Sequence, residues 1–125
     1  MNYDTFVEAV TERAQFKKQA AAQELITSTL TLLGGRLRGV DRRAIAAQLP
    51  SELARALVSD DVNQLAPLAA DLDTFINELN ARTTQPVDID QLRGVCQVLA
   101  EALDEQARSH LRIQPLNPLF SATIH

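Results

Sequence analysis

Tryptophan is absent from the chain and aromatic residues make up only 4% of it. A core must therefore be assembled from Leu, Ile, Val and Ala, which is the composition of a helical bundle. Cysteine occurs once, at Cys96. No internal disulfide can form, and a reducing compartment suits the chain. The two histidines, His110 and His125, give with that single thiol no zinc spacing and no Cys-His or Ser-His pair. No metal and no cofactor are expected. No apolar run approaches the roughly 18 residues that a membrane span needs. The opening MNYDTFVEAVTERAQ lacks the basic-then-apolar layout of a secretory leader. A cytoplasmic protein without membrane attachment is the expectation. Nothing alternates with period two over a useful length, so strands are not expected either.

What is present is ordinary globular chemistry: 46% hydrophobic and 22% charged residues in 125, enough for one core without staples. The chain also repeats itself. YDTFVEAV, Tyr3 to Val10, returns as LDTFINEL, Leu72 to Leu79. With DTF aligned, Phe6 falls on Phe75, Val7 on Ile76, Val10 on Leu79 and Arg13 on Arg82. After a gap of three residues in the second copy, Ile26, Thr29, Leu30, Leu33 and Leu37 fall on Leu92, Val95, Cys96, Leu99 and Leu103. Both sets keep the three-and-four spacing of a buried helix face. Further on, Gln48 falls on Gln114 and Leu53 on Leu119. The expected fold is all-α: a single domain, residues 1–125, built from two tandem copies of a roughly four-helix unit. Copy one covers about 1–58, a linker about 59–70 and copy two about 71–125.

Capping signals place the helices. Asp4 or Thr5 caps the first, which runs to about Ala14, and Thr5 with Glu8 has capping-box spacing. The second runs from about Lys17 to Arg38. Gly34-Gly35 resembles a break, but the spacing of Leu30, Leu33 and Leu37 carries through it. The helix is therefore expected to continue, a small residue there admitting another helix, and Gly39 to end it. Asp41 then caps a short helix to about Leu49, and Pro50 starts another to about Leu57. The acidic link from Val58 to Asp71 is the seam. Asp73 caps a helix to about Arg82, and Asp88 with Gln91 forms a second capping box opening a helix to about Asp104. A short helix near Gln106 to Arg112 and a last turn at Asn117-Pro118 complete the second copy.

The Tyr-Asp-x-Phe of Tyr3 to Phe6, the helix carrying LTLLGGRLRG and the following AAQLPSELARAL, with a weaker second copy behind, resemble the bacterial domain of unknown function numbered 2267. The likeness covers almost the entire chain. It implies a small, all-helical bacterial protein made of two such copies, with no established activity. These motifs are packing and capping positions, so the resemblance brings a fold and no catalytic residue. The second copy departs from it with QPLNPLF in place of QLPSEL.

Three chemistries can be weighed on single residues. Cys96 lies on the buried stripe, where cysteine acts as a small hydrophobe. The pairs Asp60-Asp61, Asp88-Asp90 and Asp104-Glu105 lack the alternating oxygen ligands and turn glycine of a calcium loop, and serve as caps or solvated linker. Gly34-Gly35 follows no strand and is not a phosphate loop.

Charge is the remaining asymmetry. Residues 1–57 hold eight Lys and Arg against six Asp and Glu, while residues 58–125 hold four against ten. Arg36, Arg38, Arg42 and Arg43 crowd into eight residues at the end of one helix and the start of the next. Cations there suit the negative end of the helix dipole without any ligand. Their functional reading is an anion or acidic-partner site, since arginine suits carboxylate and phosphate. A net charge of −4 opposes nucleic acid binding. With no acid, base and nucleophile set, the protein is expected to be non-enzymatic: a helical module binding a protein partner or itself through an exposed helix face. The alternative is a small-molecule or anion-binding regulatory domain, with a pocket between the copies and the arginines at its mouth.

Overall fold

A computed structural model describes residues 2–36, 39–58 and 72–108. Among them are seven α-helices and no strand: α1 Tyr3–Arg13, α2 Gln19–Arg36, α3 Gly39–Ala46, α4 Ser51–Leu57, α5 Leu72–Arg82, α6 Ile89–Ala102 and α7 Glu105–Arg108. The all-α expectation holds. The linker after Val58, the last turn at Asn117-Pro118 and both histidines lie outside the described residues.

Several caps differ from those the sequence predicts. Asn2, not Asp4 or Thr5, caps α1: its backbone is extended and its Oδ1 accepts the Thr5 amide at 2.8 Å. Starting earlier draws Tyr3 onto the edge of the core, and leaves Asp4 in the first turn where a carboxylate suits the dipole. Thr5 then stands inside the helix, so the Thr5–Glu8 box does not form. Gly39 opens α3 instead of ending α2, because no described glycine adopts the positive φ of a helix-ending position. Asp41 is thereby carried into the first turn of α3, and Asp73 likewise sits inside the first turn of α5, which begins at Leu72. Pro50 is the N-cap of α4, its carbonyl accepting the Ala54 amide at 2.8 Å.

The box at α6 forms as expected. Asp88 Oδ1 accepts the Gln91 amide at 2.8 Å and the Asp88 amide donates to Gln91 Oε1 at 3.2 Å. At α7, Asp104 is the cap, accepting the Ala107 amide at 2.7 Å. α1 ends with Gln15 in the left-handed region, φ 59°, while the Phe16 amide reaches back to the Thr11 carbonyl at 2.9 Å. That pattern turns the chain sharply from α1 into α2.

α2 is the axle. Ser28 to Gly34 are all buried, so its middle has no solvent face, wider burial than the stripe alone predicts. It packs against α1, α4, α5 and α6. Leu33 and its counterpart Leu99 are both fully buried, as are Phe6 and Phe75, and all belong to one apolar cluster. α5 meets chiefly α2; α6 meets α1 and α2; α7 meets α3. The second half thus leans on the first, and α5 with α6 is not among the principal contacts, unlike α1 with α2.

Packing at the axle has one polar defect. Thr29 is 1% exposed, and its Oγ1 has no hydrogen-bond partner among the described residues. When the two halves of the sequence are aligned, it falls on Val95. Removing an unsatisfied buried hydroxyl while keeping the branched shape is favourable. Thr29→Val should therefore raise stability by about 1 kcal/mol in urea denaturation; a loss would show that the hydroxyl is bonded in solution.

Candidate functional site

In sequence, the arginine cluster spans the end of α2 and the start of α3. Arg36 is the last residue of α2, with its side chain outside the described set, and Arg38 lies outside it altogether. Arg42 and Arg43 fall on α3, half-buried and exposed respectively. α3 turns Ile45 into the core. Spacing of three and four then puts Val40, Arg43 and Ala47 on one outer face, where all three are exposed. Val40 is 57% exposed, the most of any large apolar side chain described. The structure thus places an apolar side chain beside arginine on one face.

The foot of α3 is tied across the molecule. Gln48 Nε2 donates to Asp104 Oδ2 at 2.7 Å, and the Asp104 amide donates to Gln48 Oε1 at 2.9 Å. Hydrogen bonds from the Ala107 amide and from Gln48 hold the Asp104 carboxyl below its ordinary value. This pair joins the chain after α3 to α7, which packs against α3.

A second place lies at the opposite end of α2. A cleft of about 190 Å³ opens between the start of that helix and the α5–α6 connection. Phe16, Leu25 and Val87 form its apolar lining, with Lys18, Glu24 and Gln91 among the polar groups. The connection is pinned by Glu24, whose Oε1 accepts the Thr84 amide at 2.7 Å and the Thr84 hydroxyl at 3.0 Å. Asn80 Oδ1 accepts the Val87 amide at 2.7 Å from the other side. A pocket between the halves therefore exists, but Arg42 and Arg43 do not line it. α2 has 18 residues, about 27 Å of helix, and the cleft and α3 adjoin its two ends. Sequence reasoning missed this cleft because Glu24 and Thr84 are 60 residues apart and neither carries a motif.

The shallow groove between the end of α1 and α6, about 300 Å³, is lined by Arg13, Asp90 and Arg93. Its cations are already matched, Arg13 with Glu101 at 2.5 Å and Arg93 with Asp90 at 2.9 Å. Among the described residues no group of three His, Cys, Asp or Glu could hold a metal ion, and no helix is long and apolar enough to cross a membrane.

Cys96 is 1% exposed, and burial pushes its thiol well above the ordinary value. A thiol held neutral and covered is a packing residue. Labelling by a thiol reagent at neutral pH should be about a thousandfold slower in the folded protein than in denaturant, because reaction requires opening of the core. Rapid labelling of the folded chain would contradict the buried stripe.

No curated protein and no solved structure is significantly similar to the chain. Residues 3–114 match the family described as an uncharacterized conserved protein, DUF2267. Because that match runs from the first helix to beyond the last described one, the chain belongs to the DUF2267 family.

Proposed function

We propose that the protein is a non-enzymatic, cytoplasmic interaction module that docks an acidic protein partner on the outer face of α3. The exposed Val40 beside Arg43 carries this reading, since apolar contact with flanking arginine is how docking surfaces combine affinity with orientation. Arg36, Arg38 and Arg42 extend the cation density around that face in sequence. The Gln48–Asp104 pair supports it by joining the chain just after α3 to the cap of α7.

The scaffold beneath it is one domain made from two tandem copies of a roughly four-helix unit, about 1–58 and 71–125, joined by a linker at about 59–70. Burial of both members of the aligned pairs Phe6 and Phe75, Val10 and Leu79, and Leu33 and Leu99 supports the duplication. Divergence has left the first copy as the platform and the second as its cover.

Affinity capture from the native host tests the reading. Replacing Arg42 and Arg43 by Gln should weaken partner capture about tenfold or more, and added salt should weaken it in the unmodified protein. Stability should stay within about 0.5 kcal/mol, because charges at the surface contribute little. A double variant that captures the same partner equally well would remove α3 from consideration.

A further inference from the structure

The cleft at the start of α2 combines three features. Its apolar lining, Phe16, Leu25 and Val87, comes from both halves of the chain. Lys18 and Glu24 bring opposite charges to its wall. Lys18 has no ion pair among the described residues. The Glu24 carboxylate is held in place by the Thr84 amide and hydroxyl, yet a carboxylate has about four acceptor sites and keeps capacity for another donor. Gln91 spends its Oε1 on the Asp88 amide, which leaves Nε2 uncommitted among the described residues.

Size and charge then select the ligand. About 190 Å³ lies below the range of about 300–1,000 Å³ that holds cofactors and nucleotides. A simple anion would meet the Glu24 carboxylate, and a simple cation would meet the Lys18 ammonium. A molecule carrying both charges and a short apolar body satisfies every group. We infer that the cleft binds a small zwitterion of the aliphatic α-amino acid class. Its carboxylate faces Lys18 and Gln91 Nε2, its ammonium faces Glu24, and its side chain rests on Phe16, Leu25 and Val87. The site is separate from the α3 face and stands or falls without it. Bound there, the ligand bridges α2 to the α5–α6 connection and tightens the contact between the halves.

Nuclear magnetic resonance on the ¹⁵N-labelled full chain tests the inference, with L-valine as probe and isovalerate and isobutylamine as its single-charge analogues. Valine should give saturable shifts at the Thr84 and Val87 amides and at the Gln91 side-chain amide. Each analogue should bind about tenfold more weakly or worse, the loss of one charge-assisted contact. Lys18→Ala, a change at an exposed residue, should weaken valine by a similar factor and leave isobutylamine no weaker. Glu24→Gln should weaken valine as well, but that change also touches the Thr84 contact, so Lys18→Ala is the deciding variant. Absence of saturable shifts with valine would overturn the site. Equal binding of isovalerate and valine, or undiminished valine binding by Lys18→Ala, would overturn the zwitterion assignment.

Discussion

Gly34→Ala should destabilise the protein by about 3 kcal/mol or more, the upper range for forcing atoms into a packed interior. Inside a helix the same change normally stabilises by about 1 kcal/mol, so the expected sign is the reverse of the intrinsic one. Gly34 is buried where α2 crosses α4. A Cβ there would collide with the Leu57 carbonyl oxygen and lie 2.8 Å from the carbonyl carbon. Leu57 is the last residue of α4, and its backbone cannot swing aside as a side chain can. The helices must separate instead, loosening the seam that buries Leu30, Leu33, Leu53 and Leu57. Gly94→Ala is the internal comparison. Its new methyl would meet the Ala14 Cβ at 3.1 Å and the Ala14 backbone Cα and N at 3.4 Å, a crowding of a few tenths of an ångström against the outright collision at Gly34. Propensity and crowding then nearly cancel, and stability should change by less than about 1 kcal/mol. Urea denaturation of both variants measures the contrast; a Gly34→Ala protein as stable as its parent would mean that α2 and α4 do not cross this closely.

That glycine also shows how far the sequence reaches. Uninterrupted spacing of Leu30, Leu33 and Leu37 was enough to carry the helix through Gly34-Gly35 and to attribute the pair to a close crossing. Which helix crosses was not legible, because Leu57 is distant in sequence and contributes a backbone carbonyl, which every residue has. Caps divide on similar lines. Asp88 and Gln91 announce α6 because each supplies half of a reciprocal pair. Asn2, Asp4 and Thr5 are all competent caps, and propensity alone cannot rank them when a tyrosine at the core's edge gains by an earlier start. Gly39 misleads for a related reason: glycine permits the left-handed turn that ends a helix but does not require it. Of the candidate sites, the arginine face was visible as a run of like charges, whereas the cleft depends on Glu24 meeting Thr84 across the fold.

Neither half should fold alone, and the second should fail more completely. Expressed as residues 70–125, the second half loses the principal packing partners of every helix described in it: α2 for α5, α1 and α2 for α6, and α3 for α7. Phe75, Leu79, Leu92, Val95 and Leu99 would then face water, and burial worth about 1.5–3 kcal/mol for each large side chain would be forfeited. Fewer than 60 residues with no mutual core cannot offset the entropy of ordering the chain. Residues 1–58 keep the contacts of α1, α2, α3 and α4, but the sides of α1 and α2 that α5 and α6 cover would be bare. Circular dichroism should show residues 70–125 largely unfolded and residues 1–58 helical without a cooperative melt, the behaviour of a collapsed chain that lacks fixed packing. Mixing the two should restore cooperativity in a concentration-dependent way, because each fragment is then a ligand for the folded form of the other. A cooperative melt from residues 70–125 alone would show a second copy with its own core, and α5 and α6 would have to meet in a way that their separate docking on the first half does not provide.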